Sequence, residues 1–453
     1  MNSIPHNSGR REILSDTEIQ VRIDVKVEAL NETYTHIVSH GRNYVVRVNT
    51  DALDHHFFEF FKLQEFRDML TNQPKVLVGY SKTMEEKLKP LADVWLASQK
   101  KKECTTGITF YPINKPYYRH KFNTYFGLGA APIREQNTDL IQPYLEHIER
   151  IICNGDTTCY EYVLNWLAHL VQKPHEKPEV AIILKAGQGT GKGTFVEPIG
   201  KIIGAHYLHA TKSEHVLGRF NVLLENKILI FADEFFAGSK KNTDFLKSLI
   251  TEDTATIERK GIDSITVPSF SRLIMASNHD NIVKIEKDER RYLYLEVSED
   301  RKQDFAYFKA LKHTLSQPSF TGELLQFLLD RDIKAFNPRQ VPHTEALQAQ
   351  KLDNLEPLEQ WLYYALQTGD LINGQWPARE SSVALTQHVE AWLRERKLEV
   401  WGDTSRKLGR LLKKIGFKKI QLREKHNRVW YWETSNLDQT HLKFDLYLKM
   451  SKN

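Results

Sequence analysis

Residues 181–203 read AIILKAGQGTGKGTFVEPIGKII. An apolar run comes first, a glycine-rich turn follows, and the apolar residues after the turn have helical spacing. Gly187, Gly189 and Gly191 let the backbone turn without Cβ clashes, so successive N–H groups and the start of the next helix can face an anion. Lys192 adds a point charge. This order of strand, turn and helix is the one that a phosphate-binding loop (P-loop) requires.

The predicted ATP-binding residues are Gly187, Gln188, Gly189, Thr190, Gly191, Lys192, Gly193 and Thr194. The run departs from G-x-x-x-x-G-K-[ST] at two positions. Ala186 stands in the first glycine position, and Gly193 moves the hydroxyl residue by one place to Thr194, which we still expect to be a Mg²⁺ ligand. Adenylate-kinase-type loops also read G-K-G-T, so a small-molecule kinase remains an alternative.

A second apolar run, KILIFADEF, ends in two carboxylates. Asp233 follows Lys192 by forty-one residues, and Glu234 comes directly after it. An apolar strand followed by Asp-Glu is common by itself, so its interpretation depends on the loop that precedes it. Behind a P-loop at this interval, we expect Asp233 to hold Mg²⁺ and Glu234 to polarise the attacking water.

Two further runs contribute candidate catalytic residues. RLIMASN ends in Asn278, whose amide can hydrogen-bond the γ-phosphate or the attacking water. Arg290 and Arg291 lie in EKDERRYLYLEV, where a guanidinium of one subunit can complete the γ-phosphate site of its neighbour. The runs VAIIL, KILIFA, RLIMASN and YLYLEV alternate with helical stretches. This alternation predicts an α/β fold with a largely parallel sheet covered by helices.

The order of P-loop, Asp-Glu strand, lysine-containing hairpin, asparagine and arginine resembles the superfamily 3 helicases. The similarity is to the primase-helicases of bacteriophages, plasmids and large DNA viruses of the poxvirus type, and it covers roughly residues 130–300. It implies an AAA+-like ATPase core that forms a ring, with six subunits and ATP sites between them. It also implies 3′ to 5′ movement along single-stranded DNA.

The run FLKSLITEDTATIERKGIDSITVPSF looks like a further motif of this family. It predicts a helix that ends near Ile250 and a β-hairpin with Arg259-Lys260-Gly261 at its tip. In family hexamers the hairpin lines the central pore and its lysine holds the DNA backbone. The resemblance places this role on Lys260, with Arg259 as the second candidate.

The positive charge of the chain is concentrated near its C-terminus. Ser405 to Arg428 carries a net +9, whereas the whole chain carries +5, which leaves −4 for the rest. Residues 381–397 and 404–415 have helical spacing, and Lys418 to Thr434 is a predicted hairpin. A helix, a basic helix and a two-stranded wing form the winged-helix order. Its predicted DNA contacts are Arg406, Lys407, Arg410, Lys413 and Lys414.

Apolar residues in the same region predict the core of this module. The stripe on its basic helix consists of Leu408, Leu411, Leu412 and Ile415. Trp430 and Trp432 alternate with Tyr431 in a strand, so we expect both tryptophans to pack inward and not to stack on bases. Winged helices also serve as protein-docking modules, which is the alternative to DNA contact.

The predicted domains are an N-terminal α+β region (1–130), a helical collar segment (131–175), the ATPase core (176–310), a helical segment and linker (311–357), a winged-helix-like DNA-binding module (358–440) and a tail (441–453). A hairpin around Gly41-Arg42-Asn43 opens the N-terminal region. We find no paired-carboxylate metal site there and predict no priming activity. Three prolines among polar residues mark the boundary before the last module, and they are Pro338, Pro342 and Pro357.

Composition excludes several classes of protein. The sequence is 41% hydrophobic, and none of its runs approaches the roughly 18 to 20 apolar residues of a membrane span. Its three cysteines lack a CxxC pair, which argues against a disulfide framework and a zinc site. The polar N-terminus MNSIPHNSGRREILSD has no apolar core of a secretion signal, so we expect a cytoplasmic protein, in a bacterial host if a phage or plasmid encodes it.

These patterns together predict an ATP-dependent replicative DNA helicase of a phage, plasmid or other mobile element. The expected cofactors are ATP and Mg²⁺. The expected partners are single-stranded and forked DNA, further copies of the chain and a separate primase or polymerase. One alternative is a non-unwinding AAA+ switch or loader that binds DNA, and the pore lysine argues against it. The other is the small-molecule kinase, which the Asp-Glu pair and the basic module disfavour.

Overall fold

A computed structural model describes residues 13–39, 41–50, 56–134, 138–259, 262–279, 282–286, 289–424 and 427–449, without the side chains of residues 259 and 262–264. The chain divides into two compact units. The first consists of Met1–Gly129 with Ile203–His206, and the second of Ala130–Ile202 with Tyr207–Asn453. The division near 130 lies where the sequence predicts the end of the N-terminal region.

The first unit has an α+β architecture. Its elements are α1 (Asp16–Thr33), β1 (Tyr34–Ser39), β2 (Arg42–Thr50), β3 (His56–Lys62), α2 (Leu63–Met69), β4 (Val76–Tyr80), β5 (Glu86–Lys89), α3 (Leu91–Ala97), β6 (Glu103–Cys104), β7 (Ile108–Thr109), β8 (Tyr117–Tyr118) and β9 (Lys121–Asn123). The main sheet has the order β3-β2-β1-β6, and β1 and β2 form the hairpin expected around Gly41. Helix α1 starts at a capping box between Ser15 and Glu18. Buried Phe66 and Trp95 pack the helices against the sheet.

The second unit contains the parallel sheet. Its first elements are α4 (Thr138–Glu146), α5 (Thr157–Gln172), β10 (Ala181–Lys185), α6 (Lys192–Ile203), β11 (Tyr207–Ala210), α7 (Glu214–Leu217), β12 (Leu229–Ala232), α8 (Lys240–Thr251), β13 (Thr254–Arg259), β14 (Ile262–Pro268), β15 (Arg272–Ser277) and β16 (Tyr292–Glu296). Five strands stand in the order β11-β12-β15-β10-β16, and every neighbouring pair is parallel. The mixed α/β fold is therefore as the sequence predicts.

The burial of these strands explains why they form a parallel sheet. All residues of β12 and β15 are buried, and so are the first four of β10 and of β16. Continuous apolar runs of this kind suit a sheet that is covered on both faces. The first strand, β10, lies between β15 and β16, so the connection from β10 to β11 and the connection from β15 to β16 run in opposite directions. In open parallel sheets such a switch point opens a crevice at the carboxyl ends of the strands.

The segment before the sheet is helical, as predicted, with one feature that the sequence does not reveal. A single π-helical turn, His147–Ile152, follows α4 directly. Cys153–Asp156 then separates it from α5, where the Asp156 side chain accepts a hydrogen bond from the Cys159 N–H as N-cap. Trp166 of α5 is buried, and its Nε1 donates to the Val180 carbonyl 3.0 Å away, just before β10.

The remaining elements are α9 (Phe305–Leu315), α10 (Phe320–Asp330), α11 (Glu345–Asp353), α12 (Pro357–Thr368), β17 (Arg379–Ser381), α13 (Ser382–Glu395), α14 (Thr404–Lys414), β18 (Lys418–Glu424), β19 (Asn427–Glu433) and α15 (Leu437–Leu448). Helix α13, basic helix α14 and the antiparallel pair β18–β19 follow one another as expected, and β17 pairs with the other side of β19. Trp361, Leu412 and Trp432 lie in the core of this module.

Three expectations about this part of the chain are wrong. The proposed tail from 441 is part of α15, whose Phe444 and Leu448 are buried in the module core. The boundary at 310 falls inside α9. Trp430 does not pack inward but is 47% exposed, whereas Trp432 is 2% exposed. The stripe of Leu408 to Ile415 is buried as predicted.

Across the described parts of the chain, the structure contains no helix that is both long and apolar enough to cross a membrane.

Candidate active site

The glycine-rich loop joins the end of β10 to the start of α6. Gly189 and Gly191 have φ angles of +76° and +92°, which residues with a Cβ rarely adopt. Lys192 opens α6, and its Nζ donates hydrogen bonds to the carbonyls of Ala186 and Gly187, both 2.8 Å away. The Thr190 hydroxyl donates to the Gly187 carbonyl at 3.1 Å. The loop is therefore curved around the ammonium group of its own lysine.

A buried histidine that belongs to no sequence motif contacts the glycine-rich loop. His147, on the π-helical turn, is fully buried, and its Nε2 lies 3.2 Å from the Gly191 carbonyl. Because a carbonyl only accepts, Nε2 carries the proton, and Nδ1 can then accept from the Tyr307 hydroxyl at 3.0 Å. Burial lowers the pKa of His147 to about 4. The imidazole is thus neutral at pH 7, with a partner on each nitrogen.

Residues from the segment before α9 lie beside the same loop. A Cβ built on Gly187 would stand 2.9 Å from Glu299 Oε1 and 3.2 Å from Lys302 Nζ, two atoms that form an ion pair of 2.7 Å. The Gln303 N–H donates to the Gly189 carbonyl at 3.4 Å. The sequence does not reveal Glu299, Lys302, Gln303 or His147 as neighbours of the loop, because none of them belongs to a motif. A histidine on an apolar helix is usually a residue of the hydrophobic core.

The two carboxylates follow β12 at the same edge of the sheet. The Asp233 N–H still donates to Ala210 of β11, and the Asp233 Oδ1 accepts the N–H of Glu234 at 3.0 Å. Glu234 is exposed and has a φ of +52°. A left-handed conformation is uncommon for a glutamate and costs about 1–2 kcal/mol, and such residues concentrate at functional sites. The turn presents both carboxylates beyond the end of the strand.

Electrostatics link these carboxylates to the loop. Burial lowers the pKa of Lys192, and the charges of Asp233 and Glu234 oppose that shift. An ammonium and two carboxylates therefore interact across the ends of β10 and β12. The strand between them, β15, ends at Ser277, whose carbonyl accepts the Ala186 N–H at 3.0 Å. Asn278 follows directly and is exposed, so it stands between the loop and the carboxylates.

Asp233 and Thr194 are the residues at this edge that could hold a Mg²⁺ ion. In nucleotide sites Mg²⁺ takes one or two carboxylates together with phosphate oxygens and waters. Asp233 offers a partly exposed carboxylate, whose Oδ2 is 3.9 Å from His209 Nε2. Thr194 lies in the first turn of α6 and is 9% exposed. Among the described residues there is no cluster of three or more His, Cys, Asp and Glu that could hold a metal without a ligand's help.

Arg290 and Arg291 are not at this edge. Both precede β16, and the Arg291 carbonyl accepts the Ala181 N–H at the amino end of β10. The five residues of β16 separate them from the carboxyl ends by roughly 16 Å. Arg290 is exposed, whereas the Arg291 guanidinium pairs with the buried Glu289 carboxylate at 3.5 Å. Neither arginine is brought to the loop of its own chain.

The predicted DNA-binding residues have different outcomes. Lys260 lies outside the described residues, and Arg259 is the last residue of β13. The hairpin β13–β14 is held by the Asn221 side chain, which bonds the Thr256 carbonyl and the Glu258 N–H at 2.9 and 2.8 Å. On α14 all five predicted contacts are exposed, and they are Arg406, Lys407, Arg410, Lys413 and Lys414.

Comparisons with known proteins place this chain near a phage protein. Residues 184–291 match a family described as a family of unknown function (DUF5906). Over 139 residues the chain is 32% identical to the DNA Primase-polymerase of Nitratiruptor phage NrS-1. That match covers 30% of this chain and 19% of the phage protein's length.

The solved structures of the NrS-1 C-terminal region share the fold. The apo structure of residues 305–718 has a TM-score of 0.66 at 16% identity and covers 91% of this chain and 98% of that one. An A form of the same region has a TM-score of 0.65 at 16% identity, with coverage of 90% and 98%. At this identity the similarity shows a common fold, and the function has to be argued from the site.

Proposed function

We propose that this chain is an ATP-dependent DNA helicase that acts in the replication of a phage or another mobile element. The observation that carries the proposal is the convergence of three features at the carboxyl edge of one parallel sheet. They are the glycine-rich loop with Lys192, the pair Asp233 and Glu234, and Asn278. Such an edge, at a topological switch point, is where open α/β sheets bind nucleotides.

Each residue has a role that its position supports. Backbone N–H groups of the loop and the N-terminus of α6 would face the phosphates, and Lys192 would exchange its two carbonyl partners for phosphate oxygens. Asp233 and Thr194 would hold Mg²⁺, which supplies charge neutralisation when it is bound. Glu234, exposed at the tip of its turn, would orient and polarise the attacking water, and Asn278 would contact that water or the γ-phosphate.

The position of the arginines supports ATP sites that are shared between subunits. A residue at the amino ends of the strands cannot reach a phosphate at the carboxyl ends of the same sheet. A neighbouring subunit in a ring can present that edge to the loop of the next subunit. We favour Arg290 as the donated residue because it is exposed, whereas Arg291 serves as the cation of buried Glu289.

DNA as the partner is supported by charge and by the relative. The exposed cations of α14 fit a phosphate backbone, and helix, basic helix and β18–β19 follow the winged-helix order. The NrS-1 relative is named a DNA primase-polymerase. The pore role of Lys260 and 3′ to 5′ movement stay predictions from the resemblance to superfamily 3 helicases.

ATP turnover with and without single-stranded DNA, measured beside strand displacement from a forked duplex, tests the proposal. We expect DNA to stimulate turnover and ATP to drive displacement. Lys192→Ala should lose nucleotide binding, whereas Glu234→Gln should retain binding and lose most turnover. Turnover that is indifferent to DNA, with no displacement, would refute the helicase.

The same assays separate the two alternatives. A non-unwinding switch or loader would bind DNA and ATP without displacing a strand, and a kinase would transfer phosphate to a small molecule with no response to DNA. Shared sites have their own test, because a mixture of Arg290→Ala and Lys192→Ala subunits should regain part of the activity that each variant lacks. Full turnover in both the Arg290→Ala and the Arg291→Ala variants would place the trans-acting group elsewhere.

A further inference from the structure

Two tryptophans of the C-terminal module are exposed. Trp401, in the loop between α13 and α14, is 92% exposed, and Trp430 of β19 is 47% exposed. In the same module Trp361 and Trp432 are almost fully buried and belong to its core. The exposed part of a large aromatic side chain adds no burial that would stabilise the module. Tryptophan is enriched at interfaces, where one part of the ring is covered and another meets solvent or a partner.

Each exposed ring has a lysine ammonium over its face. The Nζ of Lys407, on α14, is 5.9 Å from the centroid of Trp401. The Nζ of Lys419, on β18, is 5.4 Å from the centroid of Trp430 and equally far from that of Trp432. The lysines thus place positive charge at both rings. The phosphate of a nucleotide whose base stacks on the ring would lie near this charge.

The geometry of α14 places the two tryptophans on opposite sides of its basic face. Gly409 marks one side, since a Cβ built there would be 3.4 Å from Trp432, on the strand face that Trp430 shares. Lys407, beside Trp401, marks the other side. At 100° per residue, Lys407 lies about 160° around the helix from Gly409, and the remaining cations fall between them in an arc of about 100°. These cations are Arg406, Arg410, Lys413 and Lys414.

The leucines of α14 occupy the side of the helix that faces the module core. Leu408, Leu411 and Leu412 are at most 6% exposed and pack in the module core. The outer side therefore carries cations alone, with an aromatic ring at each margin. We call this the tryptophan-flanked surface, formed by Trp401, Trp430 and the five cations of α14.

A duplex does not suit such a surface. Its bases are stacked on one another and offer only their edges in the grooves. Free base faces occur in single strands, and proteins that bind them combine a positive groove with aromatic side chains. The width of a helix, about 10 Å, between the two margins of the basic face leaves room for a few nucleotides.

We propose that the tryptophan-flanked surface binds single-stranded DNA, with bases stacked on Trp401 and Trp430 and the phosphates between them on the cations of α14. This inference rests on the proposed function, and it specifies the strand that the C-terminal module holds. The module then holds an unpaired strand and does not place α14 in the major groove of a duplex.

The test is the affinity of the full chain for fluorescent oligo(dT) and for a blunt DNA hairpin, measured by anisotropy without nucleotide. An Arg259→Ala, Lys260→Ala background removes the predicted pore contacts. Trp401→Ala and Trp430→Ala should each weaken oligo(dT) binding by about 5- to 100-fold. Because no charge is removed, the slope of log affinity against log salt should stay the same. The Phe replacements, which keep an aromatic face, should retain most of the affinity.

Two matched controls separate stacking from charge and from general damage. Leu442→Ala removes an exposed apolar side chain of the same module, 59% exposed, and should leave oligo(dT) affinity unchanged. Lys413→Ala should weaken binding and reduce the salt slope by about 1. The solution size of each variant, measured alongside, shows whether the rings instead bind a second copy of the chain.

Three results would overturn the inference. They are unchanged oligo(dT) affinity in both tryptophan variants, an equal loss of hairpin affinity, or a change of oligomeric state with DNA binding intact. Strand displacement by the unaltered chain reports on the proposed function separately. A chain that unwinds DNA while its tryptophan variants bind normally would refute the stacking alone, and a chain that does not unwind would refute the helicase.

Discussion

Replacing Gly191 by alanine tests the shape of the loop that carries the proposed function. Gly191 has a φ of +92°, and a Cβ placed on it would lie 2.6 Å from Cε1 of His147 and 2.8 Å from Cε1 of Phe308. Both atoms belong to packed rings of the second unit, so neither can move aside as a flexible chain end would. Gly191→Ala therefore combines backbone strain with overpacking at one position.

The magnitude follows from these two contributions. A residue with a Cβ in a sparsely populated φ region costs about 1–3 kcal/mol. Overpacking a dense site costs about 1–3 kcal/mol more. If the loop keeps its conformation, the free energy of unfolding should fall by about 2–6 kcal/mol. If the loop moves instead, the nucleotide should lose affinity by more than about 30-fold.

Gly193→Ala is the matched control within the same run. Gly193 lies in α6, and a Cβ there meets nothing within 4 Å. Alanine in a helix is favoured over glycine, so this variant should gain up to about 1 kcal/mol of stability.

Urea denaturation and titration with a fluorescent ATP analogue measure the two quantities, with Lys192→Ala as the reference for lost binding. If Gly191→Ala matches Gly193→Ala in both stability and affinity, the contact of the loop with His147 and Phe308 does not exist in solution.

Other residues of the site allow three more tests. Burial lowers the pKa of His147 to about 4, so between about pH 6.5 and pH 4 the imidazole of this residue is protonated in the unfolded chain but not in the folded one. The free energy of unfolding should therefore fall by about 3 kcal/mol as the pH drops through that window, and by less in His147→Gln, which urea curves at both pH values would show. Glu234→Asn should raise stability by about 1 kcal/mol, because asparagine tolerates a φ of +52°, while a turnover assay shows at least about a 100-fold loss. Turnover at the normal rate would exclude Glu234 as the activating residue. Arg291→Ala should lower the free energy of unfolding, measured in urea, by about 1–3 kcal/mol because it leaves buried Glu289 without its cation. Arg290→Ala should lower turnover and leave stability unchanged. The opposite pattern would make Arg291 the donated residue.

Much of the core could be read from local sequence patterns. Apolar runs of four or five residues, each followed by a polar residue, predict β10, β12 and β15 and place Lys192, Asp233 and Asn278 after them. Parallel pairing then brings these residues to one edge, since carboxyl ends of parallel strands meet there. The basic face of α14 is also visible in the sequence because it depends on helical spacing alone.

Errors arose where burial depends on distant partners. Trp430 and Trp432 occupy equivalent positions of one strand face, yet only Trp432 meets Gly409 of α14 and is covered. Nothing in the alternation of β19 distinguishes them. In the same way, the alternating run HLKFDLYL after 440 does not show which of its apolar residues are buried, and Phe444 and Leu448 complete a core with α12 and α14.

The sequence by itself determined the order of strand, loop and helix, the positions of the candidate catalytic residues and the charge of α14. These properties depend on neighbours along the chain. Only the tertiary structure decided that His147 supports Gly191, 44 residues away, with Tyr307 a further 160 residues from that histidine. It also decided that Arg290 and Arg291 stand at the edge of the sheet opposite the loop. Such relations arise from packing between segments, which no local pattern of residues encodes.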